Sequence, residues 1–273
     1  MTDIDTDIGV ATKAVDEHTR LLISELYQNP TVQGEGPFLG TPCTFMRLGG
    51  CNLQCGLGWQ TDPTIWKCDS SYTWDWTGVN GIKYSPDKEL KKISTLAVVN
   101  WLKAFHTTTK VRLLIVTGGE PLLQQKGLVS LFKELWTPPN TAWWTQWSVH
   151  METNGTIEGK DVAPYVSWFS VSPKLSNSGN THQKRYDKVA LAWFAKNKAG
   201  FKFVVNTPGD FNEIDAIVKD IDINPSTVYI MPEGISTQAV DDHSRMIVDE
   251  VVKRGYNMTT RLHIALFGNT RGT

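Results

Sequence analysis

Three cysteines, Cys51, Cys55 and Cys68, follow an apolar run that closes on Gly49-Gly50. Three residues separate the first two and twelve separate the last two. Thiolates are soft donors that suit zinc or an iron–sulfur cluster. A structural zinc site needs a fourth ligand, yet no histidine lies near this group. Cys43 falls inside an apolar, strand-like run and reads as a small buried hydrophobe. Three thiolates without a fourth favour a cubic cluster with one open iron. Further along, Thr117-Gly118-Gly119-Glu120-Pro121 ends a second apolar run. Its glycines let a ligand approach the backbone, Glu120 can accept from an ammonium group, and Pro121 stiffens the turn. Such an edge can hold the amino group of a small zwitterion at the open iron. Taken alone, the motif equally describes an ordinary strand-to-helix turn with a solvated glutamate; the upstream cysteines distinguish the two.

Residues so far apart need a scaffold that gathers them. Six short apolar runs read as strands: Thr44–Leu48, Val111–Thr117, Trp147–Glu152, Val166–Val171, Phe201–Val205 and Thr227–Met231. They look like strands covered on both faces. Between them, Leu90–Phe105, Gly127–Trp136, Asp187–Asn197, Phe211–Asp220 and Thr237–Arg254 keep an approximate helical period. Alternating strands and helices predict an α/β fold with a parallel sheet and crossover helices. Six units are too few for a closed eight-stranded barrel, so an open, partial (β/α)6 barrel is expected. Polar, Gly-rich turns follow five of the six strands, where sites form on parallel sheets. They are Gly49-Gly50-Cys51, Gly118-Gly119-Glu120, Thr153-Asn154-Gly155, Ser172-Pro173-Lys174 and Met231-Pro232-Glu233-Gly234.

With 273 residues, 40% hydrophobic and 20% charged, the chain is expected to form a single domain over 21–273, with an enlarged loop at 56–67 and a flexible segment at 1–20. The net charge of −1 and the lack of a basic block give no reason to expect direct nucleic-acid binding. No signal peptide or membrane span is legible, so a cytoplasmic protein without a membrane partner is expected. Four cysteines are too few for a disulfide framework in a chain of this size. Eleven tryptophans read as core and lid packing rather than base stacking, which usually accompanies a basic groove.

The cysteine and Gly-Gly-Glu motifs together resemble the radical S-adenosylmethionine superfamily. Further motifs resemble the 7-carboxy-7-deazaguanine synthase family: Gln33-Gly34-Glu35-Gly36, Arg47-Leu48-Gly49-Gly50-Cys51-Asn52-Leu53, Glu152-Thr153-Asn154-Gly155, Ser172-Pro173-Lys174, Met231-Pro232-Glu233-Gly234 and Arg261-Leu262-His263. The resemblance runs from about Leu22 to Asn269 and implies a modified radical S-adenosylmethionine core. It implies conversion of 6-carboxy-5,6,7,8-tetrahydropterin to 7-carboxy-7-deazaguanine with loss of ammonia, using a 4Fe-4S cluster, S-adenosylmethionine and Mg²⁺. A homodimer and an electron donor such as flavodoxin or ferredoxin are implied with it.

By that resemblance Cys51, Cys55 and Cys68 hold the cluster, and Ser70, where the family usually has Thr, offers its hydroxyl to Mg²⁺. By its own position Ser70 reads equally as a helix N-cap. Gly119, Glu120, Glu152, Thr153, Asn154, Ser172, Pro173, Lys174 and Leu175 form the cofactor pocket. Val32, Gln33, Gly34, Glu35, Arg47, Thr117 and His263 contact the pterin, with Glu35, Arg47 and His263 as the catalytic positions. Arg47 offers a planar fork to a carboxylate; as a strand arginine it reads equally as half of an ion pair. One departure is plain: the superfamily usually has its last cysteine three residues after the second, where this chain has Gly58. Two other readings compete with this one. An activase of glycyl-radical enzymes usually carries extra cysteines, and a zinc-stabilised nucleic-acid module sits poorly with the neutral charge.

Overall fold

The computed structural model describes residues 20–273. The segment expected to be flexible lies outside the described residues, except Arg20, which opens the first strand. The strands are β1 (Arg20–Leu26), β2 (Thr31–Val32), β3 (Pro42–Leu48), β4 (Lys91–Ser94), β5 (Leu113–Gly118), β6 (Ser148–Thr153), β7 (Trp168–Val171), β8 (Ala199–Val205), β9 (Val228–Pro232) and β10 (Asn257–Met258). The helices are α1 (Pro86–Glu89), α2 (Thr95–Thr108), α3 (Gln125–Leu135), α4 (Thr141–Trp144), α5 (His182–Arg185), α6 (Lys188–Ala195), α7 (Phe211–Ile221), α8 (Thr237–Arg254) and α9 (Leu262–Phe267). The fold is mixed α/β on one mostly parallel sheet. Its order is β10-β9-β8-β7-β6-β5-β3-β1-β4, with β2 paired to β3.

All six strands expected from the apolar runs are present, and each pairs in parallel with its neighbour from β3 through β9. The expected helix over Leu90–Phe105 starts later. Residues Lys91–Ser94 form β4, antiparallel to β1, and α2 begins at Thr95. The Ser94 hydroxyl caps it, accepting from the Ala97 amide at 3.2 Å. A serine cap satisfies an N–H that the first turn leaves free. The two-strand antiparallel edge, β1 with β4, was not legible in the apolar pattern. Among the described residues, no helix is long and apolar enough to cross a membrane.

Side chains alternate across a strand, and that alternation separates core from site. Met46, Leu114, Val116, Val149, Met151, Phe169, Val171, Phe201, Phe203, Val228 and Ile230 face the helices and join one large core. Trp143, Trp144 and Trp147 lie in that core too, in line with the packing reading. The other face is not uniformly apolar, as two-sided burial would require. At the amino-terminal end of β3 and β5 it holds a small cluster of Tyr27, Cys43, Phe45, Leu113 and Ile115. The next positions on that face are Arg47, Thr117, Glu152, Ser170 and Lys202, all of which line a cavity.

Gln124 locks the antiparallel edge to this frame. Its Oε1 accepts from the Leu22 amide at 2.8 Å, and its Nε2 donates to the carbonyls of Leu22 and Gly49, each at 3.0 Å. The side chain thus joins β1 to the turn that leads into Cys51. Gln124→Ala is expected to lower stability by about 1–3 kcal/mol, since it strands partly buried backbone groups. Urea unfolding measures this, and an unchanged midpoint would rule out the locking role.

Candidate active site

The site begins with a close crossing of two turns. The Gly119 amide donates to the Leu48 carbonyl at 3.1 Å and the Glu120 amide to the Gly50 carbonyl at 2.8 Å. A Cβ on Gly118 would strike the Leu48 backbone, and one on Gly119 would strike the Gly50 carbonyl. Only glycines let the turn after β5 lie so close to the turn that carries Cys51. The Glu120 carboxylate does not face the cavity. It is fully buried and accepts from the Leu122 amide at 3.0 Å, the Thr153 hydroxyl at 2.9 Å and the Asn154 amide at 2.7 Å. Glu120 thereby forms a strut between the β5 and β6 turns. Burial raises its pKa even though these donors oppose the rise.

The long gap before Cys68 is closed by side chains. Asn80 Nδ2 donates to the Cys55 carbonyl at 2.9 Å, and Asn80 Oδ1 accepts from the Cys68 amide at 2.8 Å. Asn80 is itself held by Asp75, whose buried carboxylate accepts from the amides of Gly78, Val79 and Asn80 at 2.7–2.9 Å. Burial would raise Asp75; these backbone donors overcome it and lower its pKa. The loop 56–67 docks on the turn after β7. The Gly56 amide donates to the Ser178 carbonyl at 2.9 Å, and Trp66 Nε1 donates to Asn177 Oδ1 at 2.9 Å. Cys51, Cys55 and Cys68 thereby line one cavity of about 430 Å³.

No group of three or more His, Cys, Asp or Glu among the described residues converges as a single metal ion requires. Three thiols lining one cavity supply soft donors of the kind an iron–sulfur cluster takes. Their polar surroundings suit it as well. The Leu53 backbone amide, the Asn180 side-chain amide and the Trp74 indole point N–H groups at the sulfurs of Cys51, Cys55 and Cys68 respectively, each at 3.4 Å. Burial pushes all three free thiols up, Cys55 to about 12, and coordination to a metal reverses that. Cys43 is fully buried in β3, away from this group.

The remaining expected residues divide. Val32, Gln33, Gly34, Glu35, Arg47, Ser70, Thr117, Gly119, Glu152, Thr153, Asn154, Ser172, Lys174 and His263 line the cavity, whereas Pro173 and Leu175 do not. Ser70 precedes a 3-10 turn without capping it; its hydroxyl lies 3.6 Å from the Cys68 sulfur. Glu152 links two walls, accepting from Thr117 Oγ1 at 2.7 Å and Gln33 Nε2 at 3.1 Å. Arg47 is engaged through Nε with Glu25 at 3.0 Å, which takes one edge of the expected fork. Its NH2 reaches the Tyr27 hydroxyl at 3.4 Å. Residues 269–273 also line the cavity, with Arg271 paired to Glu25 and Glu89 and lying 3.7 Å from the Tyr72 ring centroid.

Sequence reasoning did not find Lys202, which lies buried on the inner face of β8 and pairs with Glu35. A charged residue between Phe201 and Phe203 was the available signal. Arg261 Nε lies 3.4 Å from the same carboxylate, and Arg261 also pairs with Asp69. Burial alone would raise Glu35, but the charges of Lys202 and Arg261 overcome it and hold the group well below the usual carboxylate range. His263 is lowered, mainly by burial, and is neutral at pH 7. Its ring occupies the space that a Cβ on Gly34 would need.

The depressed Glu35 has a consequence for acid stability. The unfolded chain protonates Glu35 near pH 4.3, about the ordinary value, and the folded chain only at lower pH. Stability from this group is therefore present at neutral pH and is lost as pH falls below about 5. Glu35→Gln is expected to be less stable at pH 7 and to lose stability less steeply between about pH 5 and pH 3, followed by urea unfolding. An acid limb as steep as the parent's would contradict the assigned charge network.

No family model matches the chain. It is 32% identical to 7-carboxy-7-deazaguanine synthase of Pyrobaculum aerophilum over 257 residues, covering 93% of this chain and 97% of the relative. The enzymes of that name from Rhodopirellula baltica and Halobacterium salinarum are 31% and 30% identical, each across 93% of this chain and covering 89% and 93% of the relative. Among solved structures, QueE from Escherichia coli superposes with a TM-score of 0.63 at 24% identity, over 89% of this chain and 95% of that one. That likeness shows the fold. With the sequence identity above 30% across nearly the whole chain, it follows that the protein is an enzyme belonging to the 7-carboxy-7-deazaguanine synthase family.

Proposed function

We propose that this chain converts 6-carboxy-5,6,7,8-tetrahydropterin to 7-carboxy-7-deazaguanine by radical ring contraction with loss of ammonia, within 7-deazapurine (queuosine-type) biosynthesis. The observation that carries the reading is a single cavity lined by the three cysteines, by Gly119 and by the polar set Gln33, Glu35, Arg47, Thr117 and His263. Its donor types fit the groups that family membership implies. Cys51, Cys55 and Cys68 would hold a 4Fe-4S cluster, with Gly119, Glu152, Thr153, Asn154, Ser172 and Lys174 around S-adenosylmethionine, and Ser70 would offer a hard oxygen to Mg²⁺. Bound there, these groups supply one-electron cleavage of S-adenosylmethionine and removal of a hydrogen from the pterin.

The chain's own residues bind and orient. Glu35, kept anionic between Lys202 and Arg261, accepts from the amino-pyrimidinone edge of the substrate. Arg47 presents the guanidinium edge not used by Glu25 to the substrate carboxylate, where a charge-assisted pair fixes position. Gln33 and Thr117 are pre-oriented by Glu152, so their remaining hydrogen-bonding groups are fixed before substrate enters. Neutral His263 donates or accepts one hydrogen bond without adding charge. The sheet is read as an open, partial (β/α)6 barrel, which its sequential order from β3 to β9 supports. A homodimer served by flavodoxin or ferredoxin completes the proposal, by analogy with the family.

Anaerobically reconstituted protein, given reductant, S-adenosylmethionine, Mg²⁺ and the carboxy-tetrahydropterin, is expected to form 7-carboxy-7-deazaguanine over many turnovers. S-adenosylmethionine should be regenerated rather than used up. Stoichiometric loss of the cofactor with no deazaguanine would overturn the substrate assignment. Ser70→Ala should reduce the stimulation by Mg²⁺ severalfold while S-adenosylmethionine still binds. An unchanged Mg²⁺ response would remove Ser70 from the metal site.

A further inference from the structure

Trp74 was expected to be a packing residue, and its indole is indeed buried against the cysteine loop. Its N–H is not spent on packing. Nε1 lies 3.4 Å from the Cys68 sulfur, the one acceptor found for it. A buried indole N–H without a partner would cost stability, so the direction of this group is a built feature. The backbone around it is fixed on both sides. The Thr73 carbonyl accepts from the Gly50 amide at 2.8 Å, and Asp75 gathers the amides that follow. The indole is therefore aimed by the same frame that positions Cys51 and Cys68.

The other groups at the sulfurs are less selective; the Ser70 hydroxyl, 3.6 Å from the Cys68 sulfur, can donate or accept there. The Leu53 amide is a backbone group that any residue would supply. Asn180 Nδ2 is 3.4 Å from the Cys55 sulfur but also 3.3 Å from the Ser178 hydroxyl, so its two protons serve more than one acceptor. Trp74 is the side chain with a single N–H and a single acceptor.

We propose that Trp74 is a positioning residue that sets the reduction potential of the cluster through its N–H···S bond to Cys68. The inference rests on the reading that Cys51, Cys55 and Cys68 carry a 4Fe-4S cluster. Reduction adds one electron, which increases the negative charge on the cluster sulfurs. A fixed N–H donor then binds more strongly in the reduced state and draws the potential upward. Removing the donor while keeping the aromatic bulk makes the cluster harder to reduce.

The test is a redox titration of reconstituted Trp74→Phe, followed by the electron paramagnetic resonance signal of the reduced cluster, with iron and sulfide measured on the same sample. The expected result is a full cluster whose reduced-to-oxidised ratio, at a fixed poise, falls about threefold to tenfold. For a one-electron couple tenfold corresponds to about 59 mV. A full cluster with an unchanged midpoint would overturn the proposal. A second measurement does not depend on the variant folding. Parent protein grown with tryptophan labelled with nitrogen-15 in the indole should show a hyperfine coupling of that nitrogen to the reduced cluster. A reduced cluster without such a coupling would overturn the proposal as well. Parent protein that takes up neither iron nor sulfide would instead overturn the cluster assignment, and this inference with it.

Discussion

Asn80 lies between Cys55 and Cys68 and hydrogen-bonds both, donating to the carbonyl of one and accepting from the amide of the other. Twelve intervening residues are thereby reduced to a closed excursion whose ends stay together. The entropy of closing such a loop grows only slowly with its length, so a long insertion is tolerated once its base is pinned. Trp59 and Trp66 then fasten the excursion itself, through the Val79 carbonyl and Asn177. Asp75 fixes the backbone that carries Asn80, because its carboxylate accepts from the amides of Gly78, Val79 and Asn80. The cysteine geometry thus depends on two short polar side chains rather than on the apolar core.

A second constraint acts at the opposite wall. Glu35, Lys202, Arg261 and Asp69 form a chain of alternating charge, and most of it is buried. Buried ion pairs add little net stability, but a lone member left behind is costly. Such a network fixes side-chain directions before any ligand arrives. It is the counterpart, on β8 and ahead of α9, of the strut that Glu120 makes between the β5 and β6 turns.

Much of this was legible in the residues, and the exceptions have physical reasons. Strands β3 and β5 through β9 are short apolar runs bounded by polar turns, and they were found. Strands β1 and β4 mix polar and apolar positions at a sheet edge. Ile93 happens to keep the period of the helix that follows, so β4 was absorbed into it; the Ser94 cap marks the true start. The cavity-lining turns were legible because each follows a strand. Lys202 was not, since it lies within a strand rather than after one. Asn80, Asp75 and Trp74 sit in a segment with no period, where only three-dimensional contacts give them roles. Glu120 carries a role the motif did not show: a carboxylate beside two glycines suggested a ligand, and in the fold it also accepts from Leu122, Thr153 and Asn154.

Arg271 closes the part of the cavity wall formed by residues 269–273, through Glu25, Glu89 and the face of Tyr72. Unlike Lys202, its side chain is 42% exposed. Counter-ions therefore reach this clasp, with a screening length of about 8 Å at physiological ionic strength, while Glu35, Lys202 and Arg261, all largely buried, are shielded from them. Salt concentration acts unevenly on the enclosure: it weakens one side and leaves the recognition groups on the sheet in place.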